Sequence, residues 1–301
     1  MILLVDTNPI LEQRLQGDSF PKGAISRAET KQTKAAGYGA HMASLVRNMN
    51  EEARLMAFLG DYAGERYEKL LSQVGVDVIV KNIRDETQER LILEEKYKTS
   101  TIETREPRLT REDMVGFYDR FLNEVSGTDV VVIAKGSRRD APEEMKLPLV
   151  RYARKKSKPV IILATEEDDV EETREARPFG VVVDRDVLAR RMKRPIHFLG
   201  DIVKAVEQLY GNEIPLILIT GSERGSVLCA WGTYFYAKNE VVDEHFDAHY
   251  AAVALAAGIV RKYDAPMILK LAQAAAATVG ETDFGTLKGR MNTIEIQQME
   301  V

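Results

Sequence analysis

The chain has 301 residues, 45% of them hydrophobic and 30% charged, with a net charge of −5. That is enough apolar chain for one large domain or one plus an appendage, and the acidic balance without a long basic run argues against nucleic acid as a partner. A single cysteine, Cys229, excludes an internal disulfide framework and fits a reducing compartment. The apolar start, Met1-Ile2-Leu3-Leu4-Val5, is far too short to span a bilayer, so the sequence predicts a cytoplasmic protein with no membrane partner.

Residues 2–5 read as a buried strand stopped by the turn formers Asp6-Thr7-Asn8-Pro9. Residues 11–33 are mixed and polar and predict short, partly exposed strands. Ala36-Gly37-Tyr38-Gly39-Ala40-His41 then opens with glycines and leads into apolar residues at helical spacing, a loop feeding a helix. A buried strand is expected over 54–59 and a helix over 65–74. Residues 76–104 alternate as strands do, with charged outward positions, and together with 11–33 they predict a small sheet standing apart from the main body.

From Thr110 the pattern changes to strands alternating with helices. Helices are expected over 111–125, 142–155 and 199–209, and strands over 129–134, 159–163, 179–183 and 216–220. The very charged segment 165–177 reads as a solvated helix. Such alternation indicates a parallel sheet covered on both faces, with ligands at the carboxyl ends of its strands. Cys229 sits in an apolar run and reads as core.

The last informative stretch is a β-type segment, 231–242, running through Asp243-Glu244-His245-Phe246-Asp247 into an alanine-rich helix. A carboxylate in the first turn of a helix is either a cap or a general base, and the residues alone leave both open. His245 and His249 stand four apart, a spacing compatible with zinc, but without a third ligand they do not make a metal site.

The order of these pieces resembles the PfkB/ribokinase-like sugar kinases over nearly the whole chain, closest to the 1-phosphofructokinase and tagatose-6-phosphate kinase branch. Thr7-Asn8-Pro9 with Glu12 is similar to the opening Asn-Pro-x-x-Asp, and 36–43 to the Gly-Gly-Lys-Gly-x-Asn-x-Ala loop. Phe58-Leu59-Gly60-Asp61-Tyr62-Ala63-Gly64 is similar to the Gly-x-x-Gly stretch, 220–226 to the nucleotide-side turn, and 242–258 to the helix normally opened by Gly-Ala-Gly-Asp. The resemblance implies an α/β ribokinase-like core (1–10, 35–75 and 105–301) with a small β lid (11–34 and 76–104). It also implies homodimers through that lid.

The activity implied is phosphoryl transfer from ATP, with Mg2+, to a sugar or sugar phosphate, a ketohexose phosphate foremost, with Asp247 as general base. Acceptor contacts would come from Glu12, Gly37, Gly39, His41, Arg90 and Arg138, and nucleotide contacts from Thr220, Ser222, Gly225, Glu244, His245 and Phe246. The ligand shell departs from the family pattern. Glu244-His245-Phe246 replaces Gly-Ala-Gly, Tyr38 the loop lysine, His41 the sugar-binding Asn, Glu12 the Asp and Arg90 the lid Asn, while Asp184-Arg185-Asp186-Val187 lacks the Glu of the Asn-x-x-Glu motif. Two readings therefore stand: a working kinase, or a pseudokinase that binds a sugar phosphate, nucleotide or protein without phosphoryl transfer.

Overall fold

The computed structural model describes residues 1–134, 145–220, 225–238, 247–277 and 283–300. The first strand, β1 (Ile2–Asp6), is buried along its whole length. It crosses directly into β2 (Ile10–Gln16), which pairs with β3 (Thr30–Ala36). After Gly37 the chain turns into α1 (Tyr38–Asn48), then β4 (Ala53–Leu59), α2 (Asp61–Gln73) and β5 (Asp77–Asn82). A second excursion makes β6 (Gln88–Glu95) and β7 (Lys98–Glu103).

The α/β alternation follows as α3 (Arg111–Val125), β8 (Val130–Ile133), α4 (Lys146–Lys155), β9 (Val160–Ala164), α5 (Glu167–Ala176), β10 (Gly180–Asp184), α6 (Arg185–Met192), α7 (Leu199–Leu209) and β11 (Leu216–Thr220). The chain ends with β12 (Ser226–Ala230), β13 (Thr233–Ala237), α8 (Ala248–Val260), α9 (Ala265–Ala276), α10 (Phe284–Thr293) and β14 (Ile296–Gln298).

Among the described residues the strands form two sheets. The larger has ten, in the order β14-β13-β12-β11-β10-β9-β8-β1-β4-β5, and the smaller has four, β3-β2-β6-β7. From β11 to β5 every pairing is parallel, and β12, β13 and β14 add an antiparallel margin. Alternate residues serve opposite faces: Ile2 and Leu4 pack with α1, α2, α8 and α9, whereas Leu3 and Val5 pack with α3 to α7. A strand covered on both sides is apolar on consecutive residues, as β8 and β9 are throughout and β1 and β11 are up to their last residues, Asp6 and Thr220. The two directions of crossover part between β1 and β8, so a crevice is expected at the carboxyl ends of those strands.

The expected helices at 111–125 and 199–209 and the strand at 216–220 coincide with α3, α7 and β11. The small sheet contains 10–16, 30–36, 88–95 and 98–103, but the stretch 76–104 does not belong to it as a whole. Asp77–Asn82 pairs in parallel with β4 as the outermost strand of the large sheet. Its core, Val78-Ile79-Val80, is apolar on consecutive residues because α2 and α3 cover its two faces. Cys229 is buried in β12, as expected. No described helix is long and apolar enough to cross a membrane.

Candidate functional site

At the end of β1 the buried carboxylate of Asp6 organises the crossing into the small sheet. Its Oδ1 accepts from the Asn8 backbone N–H at 2.9 Å and its Oδ2 from the Gly39 N–H at 2.8 Å. That second bond draws the start of α1 against β1. A Cβ on residue 39 would stand 2.5 Å from the Asp6 Cβ, so only glycine fits, and Gly37 holds the left-handed φ of +89° needed to turn from β3 into the helix. The close approach expected of this loop is made, against the protein's own Asp6.

Glu12 and Arg90, both expected in the acceptor site, lie side by side in the small sheet as register partners. Glu12 is 4% exposed and surrounded by cations: Lys34 at 3.1 Å, Arg90 at 3.5 Å and Arg14 at 3.6 Å. Burial pushes its carboxyl up, but Lys34, then Arg14 and Arg90, outweigh that and hold it below the usual glutamate range. Arg90 is shared, with its Nε donating to Glu103 at 2.6 Å.

Asp247 is the N-cap of α8. Its Oδ1 accepts from the His249 backbone N–H at 2.8 Å and lies 3.3 Å from His249 Nδ1, while its own N–H donates to the Ala276 carbonyl at 2.9 Å. The Asp247 side chain is 39% exposed. Burial raises its carboxyl, yet His249 and the N–H groups of the first helical turn win and hold it below the usual range, a carboxylate at neutral pH.

His249 itself is 6% exposed, its Nε2 has no hydrogen-bond partner, and its ring stacks on Tyr38 at 3.7 Å and 9°. The glycine loop and the candidate base are therefore joined through two aromatic rings. His41, one turn into α1, feels the same charges. Partial burial and Lys34 push its imidazole down, and Asp247 and Glu12 pull it back up. Glu12, His41 and Asp247 thus share one electrostatic environment.

The Tyr38–His249 stack and the place of Lys34 are absent from the sequence reading. The two rings are 211 positions apart, and their only trace is that each falls in the first turn of its helix. Thr220, expected among the nucleotide contacts, closes β11, buried, with its hydroxyl 3.5 Å from the Val183 carbonyl. Gly225 leads into β12 with φ +104°. Ser222, Arg138, Glu244, His245 and Phe246 lie outside the described residues.

No family profile matches the sequence. Solved structures do match. A Staphylococcus aureus protein provisionally assigned as a phosphofructokinase superposes with a TM-score of 0.90 at 14% identity, covering 100% of this chain and 99% of that one. A Thermotoga maritima protein provisionally assigned as a 1-phosphofructokinase gives 0.79 at 17% identity, covering 100% of both chains. Escherichia coli phosphofructokinase-2 in complex with fructose-6-phosphate gives 0.79 at 13%, over 97% and 98%. The fold is ribokinase-like.

At the carboxyl end of β11, Thr220 ends the strand, and Gly225 presents a backbone without a side chain at a left-handed φ. Asp184, at the place of the acidic motif, instead caps α6 by accepting from the Asp186 N–H at 2.7 Å, and burial pushes its carboxyl up. Among the described residues no three His, Cys, Asp or Glu side chains are grouped to hold a metal ion. A magnesium ion here would be held chiefly by the phosphates it accompanies, its common mode with nucleotides.

Proposed function

We propose that this protein is an ATP-dependent carbohydrate kinase of the phosphofructokinase type, acting on a sugar phosphate, with a ketohexose phosphate favoured, in a reducing, cytoplasmic setting. The observation that carries the proposal is Asp247: an ionised, partly exposed carboxylate capping α8, in one electrostatic cluster with His41 and Glu12, within a fold shared with phosphofructokinases.

Bound Mg-ATP would supply the transferable phosphoryl group and the cation that balances its charge. Asp247 would take the proton of the acceptor hydroxyl as the oxygen–phosphorus bond forms. His249 would hold Oδ1 in place through its backbone N–H. Glu12, His41, Arg90 and Arg138 would orient the acceptor, and the small sheet would shield it from water. Pairing of two copies through the small sheet is part of the same proposal.

A second reading, binding without transfer, is favoured by Glu12. Its carboxylate is already engaged by three cations, so a sugar hydroxyl would have to compete for it. The deciding experiment is ADP release from Mg-ATP with fructose 1-phosphate, fructose 6-phosphate and tagatose 6-phosphate, using Asp247→Asn as control. Turnover reduced about 10²- to 10⁴-fold in the variant is expected. Turnover equal in both proteins, or none in the folded wild type, would overturn the kinase reading for these sugars.

A further inference from the structure

A groove of about 510 Å³ runs between α1 and α2 beneath β3. The start of α1 is bonded to Asp6 at the end of β1, and α2 follows β4, so His41 lies near the cleft and the C-terminal turns of α1 and α2 lie away from it. Lys34 and His41 mark the cleft end. Leu70, Leu71 and Val74, from the end of α2, mark the other, with Leu45 between them. Val74 is 58% exposed, a large apolar side chain left uncovered at the groove mouth. No described lining residue is a carboxylate; the polar ones are neutral apart from Lys34 and the titratable His41 and Tyr250. The acidic groups facing the cleft end are Glu12, 3.1 Å from Lys34, and Asp247.

We infer that this groove binds a small amphipathic anion, its charged head at Lys34 and His41 and its apolar body along Leu45, Leu70, Leu71 and Val74. The eight residues from His41 to Asn48 on α1 span about 10 Å, room for a chain of several methylenes. Lys34 is the cation nearest Glu12, so a bound head group competes with Glu12 for it and loosens the carboxylate beside the acceptor site. The inference does not depend on phosphoryl transfer, because binding is read without turnover.

The chemistry is common to alkyl phosphates and alkyl carboxylates, and two probe series separate them. Calorimetric titration with ethyl, butyl and hexyl phosphate, and with propanoate, pentanoate and heptanoate, is expected to show affinity rising about three- to fourfold per added methylene in at least one series. Lys34→Gln should weaken every member of that series at least fivefold while keeping the chain-length slope. Gln73→Trp at the rim should flatten the slope, with Val74→Trp as a second plug should the first fail to fold. A series independent of chain length, no binding in either series, or a slope that survives both plugs would overturn the inference. Failure of the kinase reading shows separately, as absent ADP release with this binding intact.

Discussion

Asp247 satisfies the first turn of a buried helix and is also the residue proposed to accept a proton. Asparagine caps helices about as well as aspartate, so Asp247→Asn should unfold within about 2 °C of wild type by calorimetry while losing turnover. Asp247→Ala removes the cap and should cost about 1 kcal/mol as well. A residue that were only a cap would show the reverse, little loss in either assay for Asn.

At Glu12 the linkage has a definite sign. Its folded-state carboxyl lies below the ordinary value, so the unfolded chain binds its proton more readily. The stabilisation is complete above the unfolded value of about 4.3 and is lost as pH falls through the lower folded value. Urea unfolding of Glu12→Gln should therefore show a shallower loss of stability below pH 5 than wild type, and a lower stability at pH 7. Equal slopes in the two proteins would exclude Glu12 from the acid response.

Among elements, α1 and α8 are fastened at both ends. The Tyr38–His249 stack joins their first turns, and beyond their last turns Arg261 pairs with Glu51 at 2.7 Å and donates to the Met49 carbonyl at 2.5 Å. Arg261 is also seated over the Phe284 ring at 4.3 Å. Arg261→Ala leaves Glu51 without its partner and should lower stability by about 2–4 kcal/mol in denaturant titration. A change below 0.5 kcal/mol would show that the ion pair is idle. The loop between β5 and β6 is tied in a similar way: the Thr87 hydroxyl accepts from the Gly60 N–H at 2.9 Å and donates to the Gly60 carbonyl at 3.2 Å. Thr87→Val should cost about 1–3 kcal/mol, because the buried Gly60 N–H loses its acceptor, while the Gly60 carbonyl keeps the Gly64 and Thr87 N–H groups.

The elements differ in how legible they were. The apolar run of β11 and the amphipathic spacing of α3 and α7 define themselves locally. Strand β5 did not, because its local pattern identifies a strand without saying which sheet receives it. That depends on whether helices cover one face or two, and α3, which covers the second face, begins about 30 residues later. Of the candidate site, the placement of Asp247 at a helix start and of Glu12 in the small sheet was legible through motif order. The meaning of Tyr38 was not, since its partner His249 becomes a neighbour only when α1 packs on α8. Lys34 as a counterion of Glu12 depends on the β2–β3 register, which the polar residues 17–29 between the strands leave undetermined.

At the scale of the whole molecule, nucleotide binding can be separated from catalysis. Mg-ATP at a hundredfold excess over its Kd should stabilise the folded chain by about 2.7 kcal/mol, in wild type and Asp247→Asn alike. Thermal unfolding indifferent to Mg-ATP in both would remove the nucleotide from the proposal without touching the fold.

The margin of the ten-stranded sheet also matters for handling the protein. Strand β14 is three residues long, yet it covers one side of Thr233-Tyr234-Phe235-Tyr236-Ala237. Removing residues 294–301 would leave an aromatic, uncharged strand with a row of unsatisfied N–H and C=O groups, a template for pairing with the same strand of another molecule. The truncated chain should keep its far-UV spectrum at micromolar concentration and form thioflavin-binding aggregates as concentration rises. The short strand Ile296–Gln298 would then govern whether the protein stays in solution.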